Sequence, residues 1–236
     1  LRTLYFIPAR SGSKGIKDKN IKLINNKPLL SYVISAIRNT NNFNSSKDII
    51  FLNTDSERYA EIGKEYGAET PYLRQKELAT DSSVITDVII NMMNYYKNKN
   101  IEFDYLAFIQ PTSPLITSED IDKGFEELEE NPSIDAINSV TEADTIPLWC
   151  NTLDENLSMD NFIDEEIKKK NRQELPQYYQ ITGAIRIARY QKIIMNKFDW
   201  YKNSKALILD KLHSVDIDTI EDFMYAEYLI KRRDNV

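Results

Sequence analysis

The side chains best suited to chemistry sit near the two ends of the chain. Residues 7–20 read IPARSGSKGIKDKN. The small residues Ser11, Gly12, Ser13 and Gly15 let a backbone approach an anion closely and aim N–H groups at it, while Arg10 and Lys19 can add charge-assisted hydrogen bonds. Six cations (Arg10, Lys14, Lys17, Lys19, Lys22, Lys27) face one acid, Asp18, between Pro8 and Lys27, a basic focus on a chain of formal charge -7. Such a focus suits a small polyanion better than a nucleic-acid track, and the acidic remainder should repel both nucleic acid and anionic membranes. The loop has neither the GxxxxGK[ST] of a Walker loop nor the GxGxxG of a dinucleotide fingerprint. Composition alone would equally allow a solvated lysine-rich turn.

Near the other end, VDIDT (215–219) sets Asp216 and Asp218 two apart. Residues i and i+2 of an extended segment face one side. Both carboxylates can therefore aim at one point, as a hard divalent cation bridging phosphate oxygens requires, although a solvated pair at a strand edge has the same spacing. Cys150 is the one cysteine and His213 the one histidine, which excludes an intrachain disulfide and a two-histidine metal site and argues for a reducing compartment. His213, just before DID, reads as a hydrogen-bonded structural residue rather than a base. Trp149 and Cys150 read as packing residues.

The elements that must position these groups alternate. TLYFI (3–7), DIIFLN (48–53), YLAFI (105–109) and DAINSV (135–140) read as buried strands. Between them, KPLLSYVISAIRN opens on Pro28, SERYAEIGKEYG runs from a Ser56 cap to Gly67, TDVIINMMNYYKN follows, and SEDIDKGFEELEEN is capped by Ser118. Alternation of this kind predicts an α/β fold, three layers around a mainly parallel sheet, in one domain over 1–236. From 141 to 180 the pattern departs from the sheet. It resumes with ITGAIRIA (181–188), a helix near 189–196, a strand at ALILD, another leading into SVDID, and a closing helix at 219–232. In a parallel α/β sheet, ligands sit beyond the carboxyl ends of the strands, where the opening loop lies. No window holds 18 apolar residues and the first residues lack signal-peptide flanks, so the default expectation is cytoplasmic.

Six blocks in order resemble the CMP-sialic acid synthetase family of cytidylyltransferases: IPARSGSKGIKDKNIKLINNKPLL, NTD (53–55), LRQKELATD (73–81), QPTSPL (110–115), RQELPQYYQITGAI (172–185) and VDIDT. The resemblance implies a Rossmann-like fold of the nucleotide-diphospho-sugar transferase type. It also implies a reaction in which the anomeric hydroxyl of a nine-carbon sugar acid, such as N-acetylneuraminic or legionaminic acid, attacks the α-phosphate of CTP with release of pyrophosphate. By resemblance Arg10 and Lys19 contact the nucleotide phosphates, and Ala9, Ser11, Gly12, Ser13, Asn20, Arg74, Asp81 and Ser83 complete the nucleotide site. Asp216 and Asp218 match the aspartates that hold Mg²⁺. Gln110, Arg172, Gln173, Tyr179, Thr182 and Gly183 match the sugar side, and Leu78 is read as packing. The excursion 141–180 corresponds to the part that reaches a partner subunit, which implies a homodimer.

This sequence departs from the family pattern chiefly on the sugar side. Ile116 replaces an arginine, Thr182 an asparagine, and Arg186 an aromatic residue; in the nucleotide loop, Val84 and Ile85 stand where small hydroxyls are usual. Two other readings remain open at this level: a nucleotidyltransferase for another sugar acid such as Kdo or for a sugar 1-phosphate, and a regulator that binds a nucleotide sugar without turnover.

Overall fold

The computed structural model describes residues 1–12, 15–80, 84–194 and 198–234. Its framework is a six-stranded sheet. β1 (Thr3–Pro8) leads through a loop and a short hairpin, β2 (Leu23–Ile24) and β3 (Lys27–Pro28), into α1 (Leu29–Arg38). There follow β4 (Ile49–Asn53), α2 (Glu57–Tyr66), α3 (Ile85–Asn98), β5 (Tyr105–Ile109), α4 (Ser118–Glu130) and β6 (Ala136–Glu142). The last part holds α5 (Glu165–Lys168), β7 (Tyr179–Arg189), α6 (Tyr190–Ile194), β8 (Ser204–Ile208) and α7 (Ile220–Asp234).

Strand order is β4-β1-β5-β7-β6-β8. β1 is parallel to both β4 and β5, and β6 is parallel to β8, while β7 runs antiparallel between β5 and β6. The sheet is thus mixed but mostly parallel. The period-2 alternation of each strand divides two apolar cores. Tyr5, Ile7, Leu52, Ala107, Ile109, Ile185 and Ile187 pack toward α1 and α4, while Leu4, Phe6, Phe51, Leu106 and Phe108 pack toward α3. Because both faces of β1, β4 and β5 are covered, these three strands are apolar at nearly every position, whereas β6, β7 and the edge strand β8 carry polar residues. A third cluster joins α7 to Ile16, Leu29, Leu115 and Ile217, pinning the opening loop and the 215–218 segment to one helix.

Several local expectations are corrected. Pro28 is not in α1: it pairs in the hairpin with extended backbone and serves as the residue before the first turn. Thr117, not Ser118, caps α4, its hydroxyl accepting from Asp120 N while the Asp120 carboxylate accepts from Thr117 N, a reciprocal box that satisfies two end donors. No strand leads into SVDID; after β8 the segment is irregular and is tied down by Ile217 N donating to Thr112 O at 2.9 Å. Trp149 and Cys150 do not pack inside this chain, since the indole is 36% exposed and the thiol is exposed. Both lie in the excursion, where only Ile146 between 143 and 178 is buried. Ser56 and Gly67 cap α2 as expected, Gly67 in the left-handed conformation.

Candidate active site

The chain runs from β1 through α1 to β4 on one side, then returns across to β5 on the other. The carboxyl ends of β1 and β5 therefore diverge in their connections, which is where an open α/β sheet forms its ligand crevice. A cleft of about 380 Å³ lies there, lined by Pro8, Arg10, Gly15, Lys19, Asn20, Phe108, Gln110, Pro111, Thr112 and Asp218. A second lobe of about 210 Å³ shares Pro8 and Arg10 and continues to Arg74, Leu78, Thr80, Ile85 and Val88. Leu78 therefore lines this lobe as well as packing against the α3 core.

The opening loop is built by three anchors. Ala9 is wholly buried and its N–H donates to Asn53 O at 2.9 Å, extending the β1–β4 ladder by one residue. Ser11 donates from both N and Oγ to the two oxygens of Asp55, each at 2.7 Å. Burial opposes ionisation of Asp55, but these two bonds together with its own N–H and the charge of Arg74 outweigh it and hold its carboxyl below the ordinary carboxylate value. Asn20 is buried, its Nδ2 donating to Arg10 O at 3.2 Å while Oδ1 has no partner. Gly12 takes φ +76 where the chain turns. A Cβ at Gly15 would come within 2.6 Å of Asp218 O, so only glycine allows the loop to lie against the 216–218 backbone.

Arg10 stands where the two lobes meet, its Nη1 reaching Ala79 O at 3.5 Å. Lys19, with a side chain only 12% exposed, donates to Ile217 O at 2.5 Å and pairs with Asp218 Oδ1 at 3.2 Å. Arg74 is buried beneath the second lobe, donating from Nε to Asn53 Oδ1 and from Nη2 to Asn53 O. Desolvation lowers its pKa to about 10, which leaves it charged at neutral pH.

Ile217 points into the third cluster, and the aspartates on either side of it turn the other way. Asp218 enters the cleft, its carboxylate largely exposed. Asp216 sits behind it, accepting from Thr112 Oγ1 at 2.5 Å and from Gln110 Nε2 at 3.2 Å. Burial raises the Asp216 pKa above the ordinary carboxylate value, and the charge of Asp218 adds to the effect against the bond from Thr112. The i, i+2 alternation thus holds without a strand, although the two carboxylates occupy different depths.

On the far wall, Gln110 N donates to Ala184 O at 3.0 Å, so β7 continues the sheet past the end of β5. Here β7 bulges against Ser139. Gly183 takes φ +72, and Thr182 Oγ1 lies 2.6 Å from Ser139 Oγ, holding the bulge. Ile116 is buried in the core and offers the cleft no polar atom.

The structure therefore brings Arg10, Lys19, Asn20, Gln110 and Asp218 to one cleft, with Asp216, Thr182 and Gly183 behind its walls and Arg74 under the second lobe. Arg172 and Gln173 lie in an exposed short turn of the excursion, and Tyr179 is exposed at the start of β7; none of the three lines either lobe. Ser13, Asp81 and Ser83 fall outside the described residues. His213 is turned away from the cleft, with Nδ1 2.8 Å from Asp120 Oδ2. Thr112 and Asp55 escaped the sequence reading of individual roles, although both stand in quoted blocks, three residues beyond the end of β5 and two beyond the end of β4.

A basic, glycine-containing loop after β1, carboxylates opposite it and a crevice at the strand switch define a nucleotidyltransferase-type site. The comparisons name the family. Residues 4–233 match the family described as Cytidylyltransferase, and the chain belongs to it. A CMP-N,N'-diacetyllegionaminic acid synthase of Legionella pneumophila is 32% identical over 98% of this chain and 97% of its own length. An N-acylneuraminate cytidylyltransferase of Escherichia coli is 33% identical over 95% of this chain, which spans only 51% of that longer protein. A pseudaminic acid cytidylyltransferase of Campylobacter jejuni is 30% identical over 98% of this chain and 97% of its own. Among solved structures, a CMP:2-keto-3-deoxy-manno-octonic acid synthetase complexed with CTP superposes with TM-score 0.70 at 14% identity, covering 99% of this chain and 100% of that one. At that identity the likeness concerns the fold. Among the described residues, no helix is long and apolar enough to cross a membrane.

Proposed function

We propose that the protein transfers CMP from CTP to the anomeric hydroxyl of a nonulosonic acid, a nine-carbon sugar acid of the legionaminic or neuraminic type, and releases pyrophosphate. One arrangement supports the reading: the cations Arg10 and Lys19 of the first loop and the carboxylate of Asp218 meet in the cleft between β1 and β5, with Asp216 behind it against Thr112 and Gln110. Phosphoryl chemistry requires mainly positioning and neutralisation of charge. Arg10 and Lys19 supply charge toward the triphosphate, the loop N–H groups cradle it, and the lobe over Arg74 receives the nucleoside. Gln110, Thr182 and Gly183 form the acceptor side.

Asp216 and Asp218 fit a hard divalent cation. Their donors are all oxygen, and burial, with the charge of Asp218 added, already pushes Asp216 upward, a cost that a cation beside them would offset. Mg²⁺ held there would polarise the α-phosphate. The reading places the reaction in the cytoplasm, where CTP is made. It also includes a homodimer: the excursion exposes Leu153, Leu157 and Met159 and carries Arg172 and Gln173 away from their own cleft, so we assign it to contact with a second copy, whose acceptor site it would complete.

Pyrophosphate release with Mg²⁺ tests the reading, with CTP, UTP, ATP and GTP crossed against a panel of nonulosonic acids, Kdo and sugar 1-phosphates, and with product mass confirmed. Turnover restricted to CTP and a nonulosonic acid is expected. Preference for Kdo or a sugar 1-phosphate would replace the acceptor, and CTP binding without turnover across the panel would favour a regulator.

A further inference from the structure

One hydroxyl in the turn after β5 lines the cleft and has no role in the scheme above. Residues 110–113 turn tightly, Ser113 N donating to Gln110 O at 3.2 Å, and Thr112 stands on the cleft wall with only 7% of its surface exposed. Its backbone and its side chain reach the same distant segment by separate bonds. Thr112 O accepts from Ile217 N at 2.9 Å, while Thr112 Oγ1 donates to Asp216 Oδ1 at 2.5 Å. The first bond fixes where the 216–218 backbone runs. The second acts on one carboxylate only.

The direction of each bond follows from donor and acceptor chemistry. An ionised carboxylate only accepts, so the single Thr112 hydroxyl proton points to Asp216, and a lone pair of the same oxygen accepts from Gln110 Nε2 at 2.9 Å. Gln110 Nε2 also lies 3.2 Å from each Asp216 oxygen. The amide is thereby oriented, its nitrogen toward Asp216 and its Oε1 packed against Gly183, where an added Cβ would stand only 2.8 Å away. Among the described residues, Asp216 forms no salt bridge with a lysine or arginine, whereas Asp218 pairs with Lys19. Two neutral side chains, Thr112 and Gln110, therefore hold the deeper carboxylate, and the hydroxyl makes the shorter bond.

We infer that Thr112 is a positioning residue for the transfer: its hydroxyl holds the Asp216 carboxylate at the back of the cleft and, through the same oxygen, keeps the Gln110 amide nitrogen turned toward it. The inference rests on the proposed cytidylyl transfer and on the place given there to Asp216. Because Ile217 N bonds to the Thr112 backbone, loss of the hydroxyl leaves the segment anchored and releases the carboxylate alone. Valine has the branched shape of threonine without the donor, so Thr112→Val isolates that one bond.

The test compares wild type with Thr112→Val and Thr112→Ser, and Thr112→Ala replaces valine if that variant does not fold. CTP binding by calorimetry in EDTA reports an intact nucleotide site. Steady-state kinetics with CTP and the sugar acid are measured beside a Mn²⁺ titration with CTP and no acceptor, read by loss of the free-ion EPR signal. Thr112→Val is expected to lower kcat and to weaken Mn²⁺ binding, each by about tenfold or more, the scale of losing a partner that orients a metal-binding carboxylate. Metal-free CTP binding should stay within about twofold. Thr112→Ser keeps the hydroxyl and should return both quantities to within about threefold of wild type. An unchanged kcat in Thr112→Val would overturn the inference. So would a lower kcat with Mn²⁺ affinity unchanged, which would place the hydroxyl on the substrate rather than on Asp216, or a serine variant as impaired as the valine variant, which would make the methyl group's packing the role. Failure of the underlying reaction would appear differently, as wild type that turns over no sugar acid while the Mn²⁺ titrations still set serine beside wild type and valine below them.

Discussion

Lys19 Nζ and Asp218 Oδ1 lie 3.2 Å apart although 199 residues separate them in the chain. The contact closes the basic opening loop onto the acidic segment that precedes the last helix, and Gly15 makes it possible by letting the two backbones touch. It thereby fixes where Lys19 and the loop around it stand relative to the 216–218 segment. Because Asp218 is largely exposed, the pair itself adds little stability in water, and its value is positional.

Asp218→Asn should therefore leave the fold and CTP affinity nearly intact while lowering turnover by about 100-fold or more, the scale of losing one electrostatic stabiliser at a reacting centre. Single-turnover rates at saturating CTP check this. Full activity would remove Asp218 from the chemistry.

Asp216→Asn separates stability from function in the opposite sense. The folded-state pKa of Asp216 is raised, so ionisation destabilises the folded state above that pKa and the cost disappears as pH falls below the ordinary carboxylate value. Asparagine can keep the bonds from Thr112 and Gln110 without the charge. The variant should melt at or above the wild-type temperature near pH 8, lose that advantage in acid, and be severely impaired in turnover. A lower melting temperature at pH 8 would contradict the assignment of burial as the dominant influence.

Arg10→Ala should raise the KM for CTP or lower kcat by tenfold or more while the circular dichroism and melting temperature change little, since Arg10 lines the cleft and is not part of a core. Unchanged CTP kinetics would exclude a role at the triphosphate.

His213 offers a pH signature. The nearby Asp120 carboxylate raises its pKa above 6.5, and the close approach and charge of His213 help hold Asp120 low against burial. The stabilisation by charged histidine is complete below about pH 6.5 and fades as pH rises through the raised value; on the acid side it is lost once Asp120 protonates, below the ordinary value of 3.8. His213→Asn should thus lower the melting temperature at pH 6 and much less at pH 9, with the pH profile of turnover unchanged. A shifted activity profile would instead make His213 a participant in proton transfer.

The sequence by itself determined the strands β1, β4, β5 and β6, the double-sided burial of the first three, both ends of α2 and the charge of the two terminal blocks, though not the hairpin β2–β3, and it placed a strand before SVDID that does not form. Those features depend on local periodicity, on caps such as Ser56 and on charge, all of which operate over a few residues. It also located three departures from the family pattern, Ile116, Thr182 and Arg186. Tertiary structure decided what became of them. Ile116 is absorbed into the core, Thr182 fastens a bulge, and Arg186 lies over three rings from two separate places in the chain, Phe108 and the Trp200–Tyr201 pair. The reversal of β7, the removal of Arg172 from its own cleft and the different depths of Asp216 and Asp218 were likewise settled by strand pairing and long-range hydrogen bonds. A period of two in a sequence is the same for parallel and antiparallel neighbours, and a carboxylate's depth depends on partners, here Thr112 and Gln110, that lie about a hundred residues away.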